Sequence, residues 1–178
     1  MVWFCGECGA PCDTTADRGE PPVCAEHGPR WEAVRNAPCA SVIIQRPDGR
    51  VLLGRRAIDP WRGWWEIQGG FCDYGEHPAA TARREAIEEV RLEVELVEWR
   101  GDYLHPVPGD DVWRMVTVYL GRPTDPDAEP SVDGREVVDA AWFALDALPE
   151  QVVPGHLARL VDLASGNDPL EVGREAAP

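Results

Sequence analysis

Gly69-Gly70-Phe71-Cys72-Asp73-Tyr74-Gly75-Glu76 leads through His77 and Pro78 into Ala79-Ala80-Thr81-Ala82-Arg83-Arg84-Glu85-Ala86-Ile87-Glu88-Glu89. A glycine turn thus feeds a run of good helix formers. Pro78 suits the first helical position, where its missing N–H is no loss, so a helix is expected over residues 78–90. On that helix Glu85 lies three and four residues before Glu88 and Glu89, which puts all three carboxylates on one face. Like charges at this spacing repel, and the chain contains no lysine to relieve them. Hard oxygen donors grouped so closely suit Mg²⁺ or Mn²⁺, and the glycines let the backbone approach a ligand.

Around this centre the periodicity marks strands. Val42-Ile43-Ile44 and Val51-Leu52-Leu53 flank the turn signal Pro47-Asp48-Gly49 and read as a β-hairpin. The stretch from Trp61 to Gly70 is too broken for regular structure. Residues 94–99, 112–120 and 137–143 read as strands, the second with Val112, Val116, Val118 and Leu120 on one face. A last amphipathic helix places Leu157, Leu160, Val161 and Ala164 at i, i+3, i+4 and i+7. Strands on both sides of an isolated helix imply an α/β fold, a mixed sheet with helices on both faces. The domain should occupy residues 36–165, with 166–178 a loose tail.

The spacing from Gly70 resembles the signature of the Nudix hydrolases, Gly-x5-Glu-x7-Arg-Glu-U-x-Glu-Glu-x-Gly-U with U a small or bulky apolar residue. Gly70, Glu76, Arg84, Glu85, Ala86, Glu88, Glu89 and Leu92 meet it, and Arg91 stands where the signature has glycine. Trp65-Glu66-Ile67-Gln68-Gly69 is similar to the family's lead-in, with Gln68 where a proline is usual. The resemblance implies a Nudix α/β/α sandwich. It implies Glu85, Glu88 and Glu89 as ligands of Mg²⁺ or Mn²⁺, Glu85 and Glu89 foremost, with the Gly70 carbonyl as a further donor. Glu76 and Arg84 would pair to shape the loop, and a metal-activated water would attack a nucleoside diphosphate linked to another group. A loop carboxylate would serve as general base: Glu136 ahead of Asp110 or Asp111. That glycine normally ends the helix in left-handed geometry, so Arg91 should cost about 1 kcal/mol there.

Four of the six cysteines fall in the first 24 residues. Cys5-Gly6-Glu7-Cys8 and Cys24-Ala25-Glu26-His27 form two knuckles, a Cys₃His set suited to tetrahedral Zn²⁺, and Cys12 could replace Cys8 or His27. Residues 1–33 are too poor in aliphatics to build a core, so a metal would explain how they fold. The pattern is similar to the zinc ribbon that precedes the catalytic domain in some Nudix enzymes, NADH pyrophosphatases included. Cys39 and Cys72 read as buried small hydrophobes instead.

The formal net charge is −15, which disfavours binding to nucleic acid or anionic lipid. An anionic substrate must therefore be neutralised locally, by metal or arginine. Arg55, Arg56 and Arg62 are candidates for phosphate contacts, Trp61, Trp64 and Trp65 for stacking or packing, and Tyr103, His105, Pro106 and Pro108 for a loop beside the substrate. The aromatic pattern that follows the signature in NADH pyrophosphatases is absent, and so is the tyrosine spacing of diadenosine polyphosphate hydrolases. Without a basic n-region or a long apolar run, the expected location is cytoplasmic. The expected substrate is a small nucleotide, ADP-ribose or an NADH-like dinucleotide, and a homodimer is left open. The alternative is a non-catalytic nucleotide sensor that docks through its ribbon. An RNA-decapping enzyme would share the chemistry but want basic groove residues.

Overall fold

The computed structural model describes residues 3–5, 7–13, 23–29, 36–106, 113–132 and 134–167. The tail beyond Asn167, together with Val112, Pro108, Asp110 and Asp111, lies outside them. Contacts within the chain divide it into two units, Met1–Asn36 and Ala37–Pro178. Among the described residues no helix is long and apolar enough to cross a membrane.

The first unit consists of two small hairpins. Strands β1 (Trp3–Phe4) and β2 (Pro11–Cys12) pair antiparallel, as do β3 (Val23–Cys24) and β4 (Gly28–Pro29), and an Asp13–Val23 bridge links the pairs. Each cysteine knuckle sits at a turn of one hairpin. Gly9 and Gly28 adopt the positive φ (69° and 74°) that closes those turns. The buried apolar cluster here is Cys5, Cys12 and Cys24.

The second unit is built on two sheets. One has the order β8 (Gln68–Phe71), β5 (Asn36–Ile44), β10 (Trp113–Pro123), β9 (Val94–Pro106); the other runs β11 (Val137–Phe143), β6 (Val51–Arg56), β7 (Trp65–Glu66). The expected hairpin between β5 and β6 is therefore only a turn. Gln45 bridges Val51 and the Gly49 N–H donates to the Arg46 carbonyl, but the two strands then enter different sheets. Strand β5 pairs with β8 and β10, and β6 with β11 and β7, so neither needs the other as an edge partner. The Trp- and Gly-rich stretch is also more regular than expected, since β7 and β8 lie within it. Its glycines serve strand pairing, with Gly69 opposite Ser41 and Gly70 opposite Ala40.

Alternation along β5 and β6 makes the layers. Cys39, Ile43, Val51 and Leu53 join Ile67, Val116, Val118, Leu120 and Leu160 in one core. Ala40, Val42, Ile44 and Leu52 meet Ala82, Ala86, Val90, Leu92 and Val94 in the other. Helix α2 (Pro154–Ser165) covers the first core and α1 (Pro78–Val90) the second, which gives the α/β/α sandwich. Helix α1 spans the expected residues. His77 caps it, its Nδ1 accepting from the Ala79 N–H at 3.1 Å, and Pro78 follows.

The face of α2 differs from expectation. Leu157, Val161 and Ala164 are exposed, whereas Arg159 and Leu160 are buried and Leu163 packs on the core. The inward positions are His156, Arg159, Leu160 and Leu163, the same periodicity turned about one residue. Two polar residues at core positions disguise it.

At the other end of α1, Arg91 adopts φ 58°, ψ 30°. Its N–H donates to the Ile87 carbonyl at 3.1 Å and that of Leu92 to Ala86 at 3.3 Å, a left-handed stop made without glycine. Arg91→Gly should therefore stabilise the protein by about 1 kcal/mol, visible as a melting point a few degrees higher. An unchanged or lower melting point would show that the strain is relieved elsewhere.

Candidate active site

The two alanines that α1 turns to the sheet, Ala82 and Ala86, are fully buried and let the helix lie close to β8. Glu85 and Glu89 continue that face and reach Gly69 and Gly70 of β8. The Gly69 N–H donates to Glu89 Oε2 at 3.2 Å. A Cβ at Gly70 would clash with the Glu85 carboxylate, which would have to shift. Gly70→Ala should accordingly cost about 1–3 kcal/mol in melting experiments, and displacing Glu85 should raise the Mg²⁺ concentration needed for turnover. An alanine variant with wild-type metal dependence would remove Glu85 from the site.

Arg84 organises the loop. Its Nε and Nη2 donate to the two Glu76 carboxylate oxygens at 3.0 Å each, and Nη2 also reaches the Phe71 carbonyl at 3.0 Å. Nη1 donates to Glu85 Oε1 at 2.8 Å and Glu88 Oε2 at 2.9 Å. The Arg84 guanidinium, the Asp73 N–H and the Thr81 hydroxyl together hold the Glu76 carboxyl down at about 2. Glu76 is thus ionised and tied up. Its place is to position Arg84, which screens the carboxylates behind it.

Glu85, Glu88 and Glu89 line one cavity of ≈ 310 Å³ with Arg91, Arg135 and Glu136. Glu85 and Glu89 are buried, and Glu88 stands at the exposed rim. Burial raises the Glu85 carboxyl, and burial with the neighbouring Glu66 and Glu85 charges raises that of Glu89 well above the usual carboxylate range. Arg84 reaches Glu85 and Glu88 from one side only, and buried oxygen donors of this kind fit a divalent cation, whose charge would offset both penalties. Glu136, far from α1 in sequence, is brought to the same cavity.

A second cavity of ≈ 320 Å³ opens beside the first glycines, lined among others by Ser41, Arg56, Glu66, Gly69, Gly70 and Phe71. Glu66 is 5% exposed and ion-paired with Arg56, yet burial outweighs the arginine and pushes its carboxyl up to about 7. His156 Nδ1 accepts from the Ile67 N–H at 3.1 Å, and its Nε2 lies 4.0 Å from Glu66 Oε2. The lead-in segment is thus held by α2.

Of the basic and aromatic candidates, Arg56 and Trp61 line this cavity, while Arg55 donates to the Gly63 carbonyl and Arg62 to Asp59. Trp64 packs on Trp61 and Trp65 on Phe143. His105 lines the cavity, and Tyr103 is buried with its hydroxyl donating to Asp162. Arg114, His156 and Arg159 line it too, and local spacing did not single them out. Cys39 is buried in the first core and Cys72 packs on the second.

In the first unit the ligand atoms of Cys5, Cys8, Cys24 and His27 all lie within 4.8 Å of one another. His27 Nδ1 is 3.6 Å from the sulfurs of both Cys5 and Cys24, and its Nε2 is 3.4 Å from Glu7 Oε2. Hydrogen bonds from the His27 backbone and ring bring the Cys24 thiol down to about 6, towards the thiolate that a metal requires. Cys12 is buried beside Cys5 and Cys24 but is not one of the four.

The Nudix domain model matches residues 35–163. The chain belongs to the Nudix family. Its curated relatives include the NAD-capped RNA hydrolase NudC of Pseudomonas syringae pv. syringae (strain B728a), 30% identical over 158 residues and covering 88% of this chain. Another is the mitochondrial NAD(P)H pyrophosphatase NUDT13 of Homo sapiens, 34% identical over 146 residues and covering 80% of the chain. The matches take in 52% and 39% of those proteins, so the chain spans about half or less of their length. Among solved structures, the MutT NUDIX hydrolase from Burkholderia pseudomallei superposes with a TM-score of 0.65 at 28% identity, over 71% of this chain and 96% of that one. This Nudix member therefore has relatives named for NAD-type substrates.

Proposed function

We propose that this Nudix protein is a Mg²⁺-dependent pyrophosphohydrolase that cleaves the diphosphate of a nucleoside diphosphate linked to another moiety, an NADH-like dinucleotide ahead of ADP-ribose. The observation behind this reading is the convergence of Glu85, Glu88, Glu89 and Glu136 on one cavity beside Gly69 and Gly70 of β8. The names of the relatives support the dinucleotide. Glu85 and Glu89 would hold Mg²⁺ (or Mn²⁺) most directly, with Glu88 and the Gly70 carbonyl as further donors. When bound, the ion neutralises diphosphate oxygens and acidifies a water. Glu136 takes the proton of the attacking water, and the Arg84–Glu76 pair keeps the ligands in register. The N-terminal unit would hold Zn²⁺ through Cys5, Cys8, Cys24 and His27.

The test is a Mg²⁺-dependent product screen over NADH, ADP-ribose, nucleotide sugars, dinucleoside polyphosphates and nucleoside triphosphates, using zinc-replete protein. Release of two mononucleotides from NADH is the expected result. Silence across the panel would sink the reading and favour a nucleotide-sensing role.

A further inference from the structure

The two cavities of the Nudix unit have opposite character. That of α1 is lined by four glutamates against Arg91 and Arg135. The other is lined by three arginines, Arg56, Arg114 and Arg159, against Glu66 alone. In a chain of net charge −15 this second concentration is conspicuous. Arg56 is spent on Glu66. Arg159 is not paired in this way. It is 2% exposed, its Nη1 reaches only the Ser41 hydroxyl at 3.4 Å, and its guanidinium rests over the Tyr103 ring at 5.3 Å. Among the described residues no carboxylate pairs with it, and its Nε has no partner. The buried Nε of Arg114 and Nε2 of His105 are likewise unpartnered, with Arg114 stacked over Phe71 at 4.8 Å. Val153, Pro154 and Gly155, where α2 begins with no side-chain cap, line the same space.

A buried guanidinium with no carboxylate in contact, and only Glu66 acting on it at longer range, is expensive, and an apolar residue would fill its place at lower cost. Its planar fork matches phosphate oxygens, and an uncapped helix N-terminus adds favourable dipoles. Burial lowers the Arg159 pKa to about 10, which leaves it cationic at neutral pH. Ser41, its hydroxyl partner, faces Gly69 across the β5–β8 pair, so the subsite adjoins the glycines of β8.

We propose that the basic cavity is a phosphate-oxygen subsite centred on Arg159, with Arg114 and His105 as supporting donors. It deepens the pyrophosphohydrolase reading for its substrate class, but the binding itself needs neither metal nor turnover. The phosphate oxygens could belong to the scissile diphosphate or to a separate phosphate elsewhere on the substrate, such as one on the nucleoside ribose.

Titration calorimetry without added divalent metal, on the full chain, tests it with inorganic phosphate, AMP and, as an uncharged control, adenosine. Wild type should bind the first two. Arg159→Met should weaken both by about tenfold or more, and Arg159→Lys should partly restore them. Arg159→Met should also melt at or above the wild-type temperature, because it removes an unpaired buried charge. Phosphate binding that is absent in wild type or unchanged in Arg159→Met would overturn the subsite, as would an Arg159→Met that melts far below wild type. The source follows from kinetics: equal losses of kcat/KM on NADH and NADPH assign the scissile diphosphate, and a loss confined to NADPH assigns the extra phosphate. If no substrate is hydrolysed, the proposed activity fails while the phosphate titration still decides the subsite.

Discussion

Glu89→Gln should give a folded protein that no longer turns over substrate in Mg²⁺ buffer. The substitution keeps the shape and the contact with the Gly69 N–H, whose acceptor is Glu89 Oε2. What it removes is one anionic donor from a cluster built of Glu85, Glu88 and Glu89. A divalent ion contributes several kcal/mol to the charge developing on a diphosphate, so losing it should lower kcat by about 10³-fold. Stability should move the other way. Burial and the Glu66 and Glu85 charges raise the Glu89 carboxyl, so the metal-free fold binds its proton more tightly than the unfolded chain does. With more protons bound in the native state, stability falls as pH rises above the ordinary carboxylate range. Glu66, raised to about 7, adds the same sign between about 4.5 and 7. Metal-free wild type should thus melt higher at pH 5 than at pH 8, and Glu89→Gln should flatten part of that slope. Retained turnover would remove Glu89 from catalysis.

The second large effect concerns the N-terminal unit. Protein purified without chelators should contain about one zinc per chain, and chelation or Cys24→Ser should abolish the amide dispersion of residues 3–5, 7–13 and 23–29. The buried apolar cluster there is three cysteines, Cys5, Cys12 and Cys24. No such core offsets the conformational entropy of ordering the segment, whereas structural zinc contributes on the order of 10–16 kcal/mol. Cys12→Ala should be tolerated better than Cys24→Ser, because Cys12 is outside the four-ligand set. Zinc content near zero in a folded N-terminal unit would refute the assignment.

The two halves of the site differ in how readable they were. Helix α1, its Pro78 start and the ladder Glu85, Glu88, Glu89 are local facts, since carboxylates three and four residues apart share a face on any helix. The four metal-type ligands of the first unit are similarly marked by two short knuckles. Glu136 was within reach of sequence reasoning only as one loop carboxylate among three, and the β11–β6 pairing carries it to the cavity. The inward face of α2 was misread because His156 and Arg159 occupy positions that periodicity assigns to apolar residues.

The stretch from Gly70 to Leu92 carried the resemblance to the Nudix family and, through it, the expected fold; the carboxylate cluster follows from the spacing itself, because close spacing turns directly into geometry on a helix. Arg91 was legible as a departure, but only its left-handed backbone shows that the helix still stops where glycine would have stopped it. The basic cavity is a tertiary product. Ser41, Arg56, His105, Arg114 and Arg159 come from four different strands and α2, and no spacing along the chain relates them. They meet because β5 is buried on both faces and the sheet order sets β8 and β10 beside it, with α2 closing one side. Long-range packing alone made that cavity.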